Sequence, residues 1–548
     1  MTFRQRLSIS RRSLLGGAAG LVTAVLLPWE SQAGAATKPT PSGQVVLGIS
    51  QEPTAFDPRL PHIEVDQGVY QAIFSPLWTV DPSGKMLPRL ALEVPTVENG
   101  GLSPDGLTWS IKLRPGVKWH DGTPFTADDV KFSIESVCQP NFPAYSTIGH
   151  NLVEDIRVTS PTSLTWKMKT LFAPYISILS WFMIVPSHLL KGVAPLGSPF
   201  QRNPVGTGPF KWKERVPGDH ITVVANEDYF DAGPLIETAV FKYVPDLTVL
   251  YTQFRTGGID YIGLQGISAD HYAEARRLPN RVVLAAPQAS IENFYFNLGR
   301  PQFREKAVRQ AIYLAYDKDS IIKEIYYGVP HPSETYLPKE SWAFNPDLPK
   351  HVFDIDKANE MLDRAGWKKG AGGIREKGGV KLAFSNSTTA GNHLREQTQQ
   401  FLQQTFRQIG VDMEIKNLPP AVMWGKYWQM SEFDTAMVGI DFMTGPDPDA
   451  SIYFSSQSIA TKTGAGYNTM QYSNPVVDKL LVDGAAELDR AKRVPIYQRL
   501  QAVLREDLPF LVQQQYVEIE GTKTNLKGYE PNINVLLNDW NLETWHWV

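Results

Sequence analysis

His120 and Asp121 stand side by side, and an imidazole beside a carboxylate is a pairing that serves acid–base catalysis and metal binding. A metal site needs three or four convergent ligands, and the ten histidines of the chain show no ligand spacing. Gly122, Thr123 and Pro124 follow the pair, and residues of these types favour a turn. We therefore interpret His120 and Asp121 as part of a turn, and we expect neither a metal site nor a catalytic pair.

Other catalytic signatures are missing from the sequence. It contains no GxSxG elbow, no HExxH motif, no clustered cysteines and no phosphate-binding glycine loop. The run 370–373 (GAGG) lies between charged residues and opens no strand–helix unit. An exported enzyme is the alternative class, and we expect instead a chain that is not an enzyme and needs no cofactor.

Length, composition and charge limit the domain organisation and the kinds of partner that this chain can have. A chain of 548 residues exceeds one ordinary core and predicts two or three domains, and 42% hydrophobic with 20% charged residues is a globular balance. The net charge is −4. Removal of a basic leader would leave about −7, because residues 1–35 hold four arginines and one glutamate. This charge argues against nucleic acid and anionic membranes as partners.

The first 36 residues predict an export signal. Arg11 and Arg12 precede a mild apolar run that reaches Leu27, and small residues from Ala33 to Ala36 offer a cleavage site. The paired arginines are similar to the twin-arginine signal, although Leu14 stands where that signal usually has Phe. An ordinary secretory signal is the alternative. About 14 apolar residues are too few for a membrane span, which needs roughly 20.

Cys138 is the only cysteine. The chain therefore has no internal disulfide and no thiol near the cleavage site that could carry a lipid. A soluble exported protein without an anchor would be lost from a cell with one membrane. The sequence thus predicts a periplasmic protein without a lipid anchor.

Alternating strands and helices predict an α/β fold. Strands are expected at 44–50, 108–113, 210–215, 220–225, 380–384, 411–416 and 435–440, and helices at 65–77, from Thr126, 304–316, 320–326, 355–365 and 394–409. Thr126 is the expected N-cap of its helix, with Asp129 three residues on. Between the paired strands, 216–219 (VPGD) has Pro then Gly where a type II turn needs them.

An ordered series of motifs resembles family 5 of the extracytoplasmic solute-binding proteins of ABC importers, the dipeptide, oligopeptide and nickel type. Together these stretches span nearly the whole chain after the leader, in the order of the family. They lie at 87–90, 105–133, 203–210 (NPVGTGPF), 225–246, 255–261, 296–328, 354–367 and 472–481, followed by tryptophans at 540, 545 and 547.

The resemblance implies a two-lobe periplasmic binding protein fold of type II, in its large three-domain variety, with the ligand cleft between the lobes. Lobe I would comprise 44–78, 205–285 and 520–548. The inserted domain would be 79–204, and lobe II 286–519. In this arrangement the glycine-rich stretch 203–219 marks the return of the chain from the inserted domain into lobe I.

The resemblance also implies a function. The chain would be a monomer that captures a small solute, foremost a dipeptide or oligopeptide, by closing its lobes. It would then deliver the solute to the transmembrane subunits of an ABC permease. No metal is expected, and nickel least of all.

Two stretches of lobe II would face the ligand by this resemblance. In peptide-binding relatives an aspartate of an Asp-Tyr-Pro-Asp-Pro stretch takes the amino group of the peptide. Here 441–449 reads DFMTGPDPD, so Thr444 stands in the place of that aspartate and Asp441 is the substitute three residues upstream. A buried ammonium without a carboxylate partner is costly. Candidate ligand contacts in this stretch are Asp441, Phe442, Thr444 and Asp447.

The second stretch is 385–389 (SNSTT), which offers hydroxyls and an amide but no arginine. Its candidate residues are Ser385, Asn386, Thr388 and Thr389. With Thr444 and the nearby aromatic Trp424, this chemistry also suits an opine, a sugar conjugate or an oligosaccharide, so a non-peptide solute is the alternative ligand. Trp424 and Trp428 are four residues apart, however, and such a pair also suits a helix core.

Overall fold

The computed structural model describes residues 40–443, 445–464 and 466–548. The predicted export signal at 1–36 and Thr444 lie outside these residues. In chain order the strands are β1 (Gln44–Ile49), β2 (Trp78–Val80), β3 (Met86–Pro88), β4 (Thr108–Lys112), β5 (Val153–Ser160), β6 (Ser163–Met168), β7 (Phe210–Val216), β8 (His220–Ala225), β9 (Thr238–Tyr243), β10 (Tyr261–Ile262), β11 (Arg281–Phe296), β12 (His331–Pro332), β13 (Lys368–Lys369), β14 (Arg375–Lys377), β15 (Val380–Lys381), β16 (Ala383–Ser387), β17 (Asp412–Ile415), β18 (Thr435–Ile440), β19 (Phe510–Lys523), β20 (Leu526–Lys527) and β21 (His546–Trp547).

The longer helices alternate with these strands, and short helical turns join them. The helices of more than eight residues are α1 (Glu64–Ile73), α2 (Ala127–Val137), α3 (Leu247–Thr256), α4 (Lys306–Leu314), α5 (Ile355–Arg364), α6 (His393–Gln408), α7 (Pro475–Ala485) and α8 (Arg490–Asp507). This alternation gives the α/β layers that the sequence predicts.

Two long antiparallel strands, β11 and β19, lie at the centre of the main sheet. Its order is β17-β16-β18-β11-β19-β10-β1-β9-β8-β7, with β12 paired to β19. The pairing of β11 with β19 runs from Arg281 opposite Lys523 to Tyr295 opposite Phe510, with a register shift between Pro287 and Ile291. β10 joins one end of this pair, and β18 joins the other. The two strands therefore connect two halves of the sheet.

A separate antiparallel sheet, β4-β6-β5, lies between the first strands and β7 in sequence. It has its own core, in which Trp109 stacks on Trp166 with ring centroids 5.5 Å apart and Tyr175 packs against both edges. Helix α2 packs on β5. The N-cap backbone of Thr126 donates to Asp129 at 2.9 Å, so the predicted cap of this helix is confirmed.

The glycine-rich stretch before β7 packs against the end of α1. The Gly208 N–H donates to the Ile73 carbonyl at 2.8 Å, and a Cβ at Gly206 would lie 1.9 Å from the same oxygen. Since this contact takes the place of a further helical turn, α1 ends at Ile73 and Phe74 is extended. The predicted helix 65–77 is therefore wrong in its last turn.

His120 holds this glycine stretch in place. The Gly206 N–H donates to Nδ1 at 3.2 Å, and Nε2 donates to the Gly208 carbonyl at 3.0 Å. Burial lowers the pKa of His120 to about 4, so the ring is neutral, as these two bonds require. Asp121 accepts from the Thr123 N–H at 2.9 Å. The turn interpretation of the pair is confirmed.

The hairpin β7–β8 and most of the predicted strands and helices are where the sequence places them. The Asp219 N–H donates to the Val216 carbonyl at 3.0 Å, which closes the predicted turn. One strand prediction is wrong. The stretch 380–384 is split at Leu382, because β15 pairs in a small sheet with β14 while β16 pairs with β17 and β18.

Candidate functional site

A cavity of about 530 Å³ lies between residues of α1 and its neighbours on one side and the segment that follows β18 on the other. This volume is within the range of small-molecule sites, about 300–1,000 Å³. Residues from α1, from 145–183, from β18 and from 533–543 all contribute to its wall. The cavity is therefore built from distant parts of the chain.

Aromatic rings form much of the wall. They are Phe74, Tyr145, Trp181, Tyr229, Trp424, Tyr453 and Trp540. Tyr145 meets Trp181 edge to face, with ring centroids 6.2 Å apart, and Tyr453 meets buried Phe442 in the same way at 5.1 Å. Such contacts fix the rings, so they present a rigid surface at low entropic cost to a ligand.

Two carboxylates from distant parts of the chain line the cavity. Glu64 lies in the first turn of α1, and Asp441 follows directly after β18. Burial, with the negative charge of Asp441 as a second cause, raises the pKa of Glu64 to about 7. The Glu64 side chain is itself exposed to solvent within the cavity, where it lines the wall together with Asp441.

Asp441 has few partners. One of its oxygens accepts the Met443 N–H at 2.9 Å, and this bond opposes the effect of burial, which raises the pKa of Asp441 to about 6. The charge of Asp441 also contributes to the raised pKa of Tyr145, to about 12, behind burial and the effect of Tyr467. Glu64, Asp441 and Tyr145 are thus close enough to influence one another electrostatically.

One arginine lines the cavity, and its charge is already matched. Arg89 donates to Glu543 at 2.9 Å and also pairs with Asp231 at 3.5 Å. Among the described residues of the cavity wall, no other side chain is basic. The wall therefore has more acidic than basic groups, and Glu64 and Asp441 lack a cationic partner there.

A comparison with protein families identifies the chain. Residues 85–462 match the profile of the bacterial extracellular solute-binding proteins, family 5 (middle), and this match covers more than half of the sequence. The chain belongs to this family. The resemblance on which the sequence analysis relied is confirmed.

Relatives agree with this assignment. The oligopeptide-binding protein AppA of Bacillus subtilis is 28% identical to this family 5 protein over 526 residues, which are 93% of this chain and 92% of AppA. The structure of AppA with a nonapeptide covers 93% of this chain and all of its own, with a TM-score of 0.81 at 26% identity. NikZ from Campylobacter jejuni, in complex with Ni(L-His), gives a TM-score of 0.81 at 26% identity and covers 92% and 100% of the two chains.

The family 5 protein therefore has the two-lobe α/β fold of type II periplasmic binding proteins, as predicted. Its family and relatives are binding proteins rather than enzymes. In the part of the chain that the structure describes, no helix is long and apolar enough to cross a bilayer.

Two of the predicted ligand contacts of this binding protein line the cavity, namely Asp441 and Trp424. Trp424 is 38% exposed, while Trp428 is buried and stacks on Phe433 with centroids 5.2 Å apart. Trp424 thus lines the cavity, whereas Trp428 belongs to the core. Whether Asp441 and Trp424 touch ligand stays a prediction, and Thr444 lies outside the described residues.

Phe442 and Asp447 point elsewhere. Phe442 is fully buried and stacks on Phe454 at 5.3 Å, in the core of its half of the sheet. Asp447 is buried in a bidentate pair with Arg493. Neither side chain belongs to the cavity wall, because Phe442 packs in the core and Asp447 is held by Arg493.

The residues of 385–389 do not line the cavity either. Ser385 donates to Asp434 at 2.9 Å, and Asn386 bonds to Thr435 and Gln399 inside the protein. Thr388 is fully buried, and Thr389 forms an isolated bridge with Leu418. These polar groups connect β16 to its neighbouring strands and to α6.

Glu64, Tyr145, Trp181 and Arg89 are cavity residues that sequence reasoning did not single out. Arg89 lies within one of the stretches that carry the family resemblance, which was a usable signal. The other three show no local pattern that separates them from surface or core residues. Only their convergence on one cavity distinguishes them.

Proposed function

We propose that this chain is the substrate-binding component of an ABC importer, and that it captures a short peptide in the cavity. Asp441 carries the proposal. It is a carboxylate in an aromatic cavity without a basic partner among the described wall residues, and it suits the α-ammonium group of a peptide. It would take the role of the aspartate that peptide-binding relatives have at the position of Thr444. The oligopeptide-binding relative AppA supports a peptide ligand.

The opposite end of a peptide needs a donor for its carboxylate. Arg89 is the basic group of the described wall, although Glu543 and Asp231 already share its charge. The rings of Trp424 and Tyr453 lie near Asp441 in the same wall and offer packing surface to side chains. An aromatic wall with a few charged anchors accepts varied side chains.

Lobe closure would complete binding. In this proposal lobe I comprises 44–78, 205–285 and 520–548, the inserted domain 79–204 and lobe II 286–519. The register shift between Pro287 and Ile291 lies beside the proposed boundary between the lobes, which supports a bend there. A ligand shifts such an equilibrium only by its differential affinity for the closed form.

The export and delivery steps complete the proposal. The leader would direct export through the twin-arginine route, and cleavage near Ala33 to Ala36 would release a monomer without a lipid anchor into the periplasm. The closed form would dock on the transmembrane subunits of the permease. The family's extracellular character supports this location.

The test is to purify the protein without refolding, denature it, and identify the released compound by mass spectrometry. Calorimetry with that compound should then show that Asp441→Asn weakens binding about 10- to 100-fold, since a hydrogen bond to a charged group contributes roughly 1.5–3 kcal/mol. Asp356→Asn, at an exposed position in the first turn of α5, is the matched control and should leave the affinity unchanged. Release of a compound without an amino group would contradict the proposal, as would unchanged affinity of Asp441→Asn.

A further inference from the structure

The cavity contains more negative charge than a zwitterionic peptide can neutralise. Glu64, Asp441 and Glu543 are its acidic wall residues, and Arg89 is matched by Glu543 and by Asp231 outside the wall. A peptide with uncharged side chains brings one ammonium and one carboxylate. If its ammonium pairs with Asp441 and its carboxylate approaches Arg89, Glu64 is left without a partner.

An unpartnered carboxylate in a closing cavity is unfavourable, because its charge loses solvent and gains nothing in return. Glu64 is already influenced by the negative charge of Asp441, which lines the same cavity. Closure must therefore either add a proton to Glu64 or bring a second cation to it. A second cation beside Glu64 makes protonation unnecessary and also weakens the repulsion between Glu64 and Asp441.

The surroundings of Glu64 suit a cation in two further ways. Tyr145 and Trp181 meet edge to face in the same wall, and aromatic faces attract ammonium and guanidinium groups. Gln71, nearly two helical turns further along α1 on the same face, has a buried Oε1 that accepts no hydrogen bond from the described residues. This orphaned acceptor is independent of the carboxylates and calls for an N–H donor from a ligand.

We infer that the cavity selects peptides with a basic side chain, whose terminal ammonium pairs with Asp441 and whose side-chain cation pairs with Glu64 among Tyr145, Trp181 and Gln71. This inference rests on the proposed function and specifies its ligand class. Glu64 is then a specificity-determining residue. It discriminates against neutral peptides because they leave its charge unpaired and against acidic peptides because they add repulsion.

The test uses two matched series of peptides of two to five residues, one of alanine only and one with a single lysine at each position in turn. At pH 8, where Glu64 is ionised, the best lysine peptide should bind about tenfold tighter than the alanine peptide of equal length, the effect of one charge-assisted contact. Calorimetry at pH 7 in buffers of different ionisation enthalpy measures the protons taken up on binding. The alanine peptide should cause more proton uptake than the lysine peptide, because it brings no second cation to Glu64.

Glu64→Gln separates a specificity role from a structural one. This variant should bind the lysine peptide no better than the alanine peptide and should bind the alanine peptide at least as well as the unchanged protein. Glu227→Gln, at an exposed glutamate outside the cavity, should alter neither affinity. Equal binding of the two series by the unchanged protein, or an equal loss for both peptides in Glu64→Gln, would overturn the inference and leave the proposed function standing. Failure of every peptide in both series to bind would overturn the proposed function as well.

Discussion

Arg493 forms a bidentate ion pair with Asp447, in which Nη1 lies 2.7 Å from Oδ2 and Nη2 lies 2.8 Å from Oδ1. Both side chains are buried, and Arg493 also donates through Nε to the Gly484 carbonyl at 2.8 Å. Asp447 belongs to the segment that begins with Asp441. The pair therefore anchors the far end of the segment that carries a cavity carboxylate to helix α8.

Removal of the arginine should destabilise the protein strongly. Arg493→Met leaves Asp447 as a buried, unpaired charge, and such a change costs about 3–5 kcal/mol. Arg490→Met is the control on the same helix, since Arg490 is exposed and stacks on Trp342 at 4.7 Å, a contact of about 1 kcal/mol. Urea unfolding should show a large shift of the midpoint for the first variant only. Similar midpoints would mean that the pair contributes little.

Gly206 should tolerate no side chain. A Cβ there would lie 1.9 Å from the Ile73 carbonyl oxygen, which already accepts the Gly208 N–H. Gly206→Ala must push the stretch away from α1 and break the bonds to His120, at an expected cost of at least about 2 kcal/mol. Gly258→Ala, where the nearest atom is 3.6 Å away, should change the free energy of unfolding by less than about 1 kcal/mol. Thermal unfolding distinguishes the two, and equal effects would contradict the close approach.

The affinity for a cationic ligand should fall as the pH falls. Glu64 has a pKa of about 7 and Asp441 a pKa of about 6, and a cation binds their ionised forms. Binding therefore lowers both pKa values and releases protons below pH 7. Between pH 8 and pH 5 we expect at least a tenfold loss of affinity, because about nine-tenths of Asp441 is protonated one pH unit below its pKa.

Calorimetry from pH 5 to pH 8 measures this dependence. In Asp441→Asn the fall of affinity below pH 6 should become shallower, because only Glu64 still takes up a proton there. The loss that belongs to Glu64 should remain and begin at a somewhat lower pH, since the charge of Asp441 no longer raises the pKa of Glu64. An affinity that stays constant over the whole range would show that neither carboxylate meets a cation.

Ionisation of the buried Asp539 carboxyl group should lower the free energy of unfolding at alkaline pH. It is 5% exposed, its Oδ1 has no partner among the described residues, and burial with the negative charge of Glu520 raises its pKa to about 7. The unfolded chain ionises near pH 4, so the folded state holds a proton that the unfolded state has lost, and stability falls as pH rises from 4 through 7.

Asp539→Asn removes this loss. Urea unfolding should show a gain of roughly 1–3 kcal/mol at pH 8 and little change at pH 4. Asp228→Asn, at an exposed aspartate, is the control and should have no effect at either pH. A loss of stability of Asp539→Asn at pH 8 would mean that the carboxylate makes favourable contacts in its charged form.

Local elements of this protein follow from the sequence because neighbouring residues determine them. The turn Val216–Asp219 closes the β7–β8 hairpin as its Pro-Gly pair predicts, and the Thr126 N–H donates to Asp129 in the expected cap of α2. The ordered motifs also indicate the family, because they recur in its order along the chain. The resemblance also indicates Asp441 as a candidate ligand contact. It lies three residues before Thr444, which occupies the position of the ligand-binding aspartate in peptide-binding relatives.

The ends of elements and the cavity wall depended on tertiary structure. Pro76 already disfavours helix at Ser75, but helix α1 stops earlier, at Ile73, because a glycine stretch from a distant part of the chain takes its last carbonyl. No property of residues 65–77 reveals that contact. Phe442 faces the core while its neighbour Asp441 faces the cavity, a choice that depends on which layer covers each side of the segment. Glu64 shares a cavity with Asp441 only because folding brings α1 and the segment after β18 together. The sequence alone determined the family and the local turns, whereas the charge of the cavity arises from side chains that only the three-dimensional packing brings together.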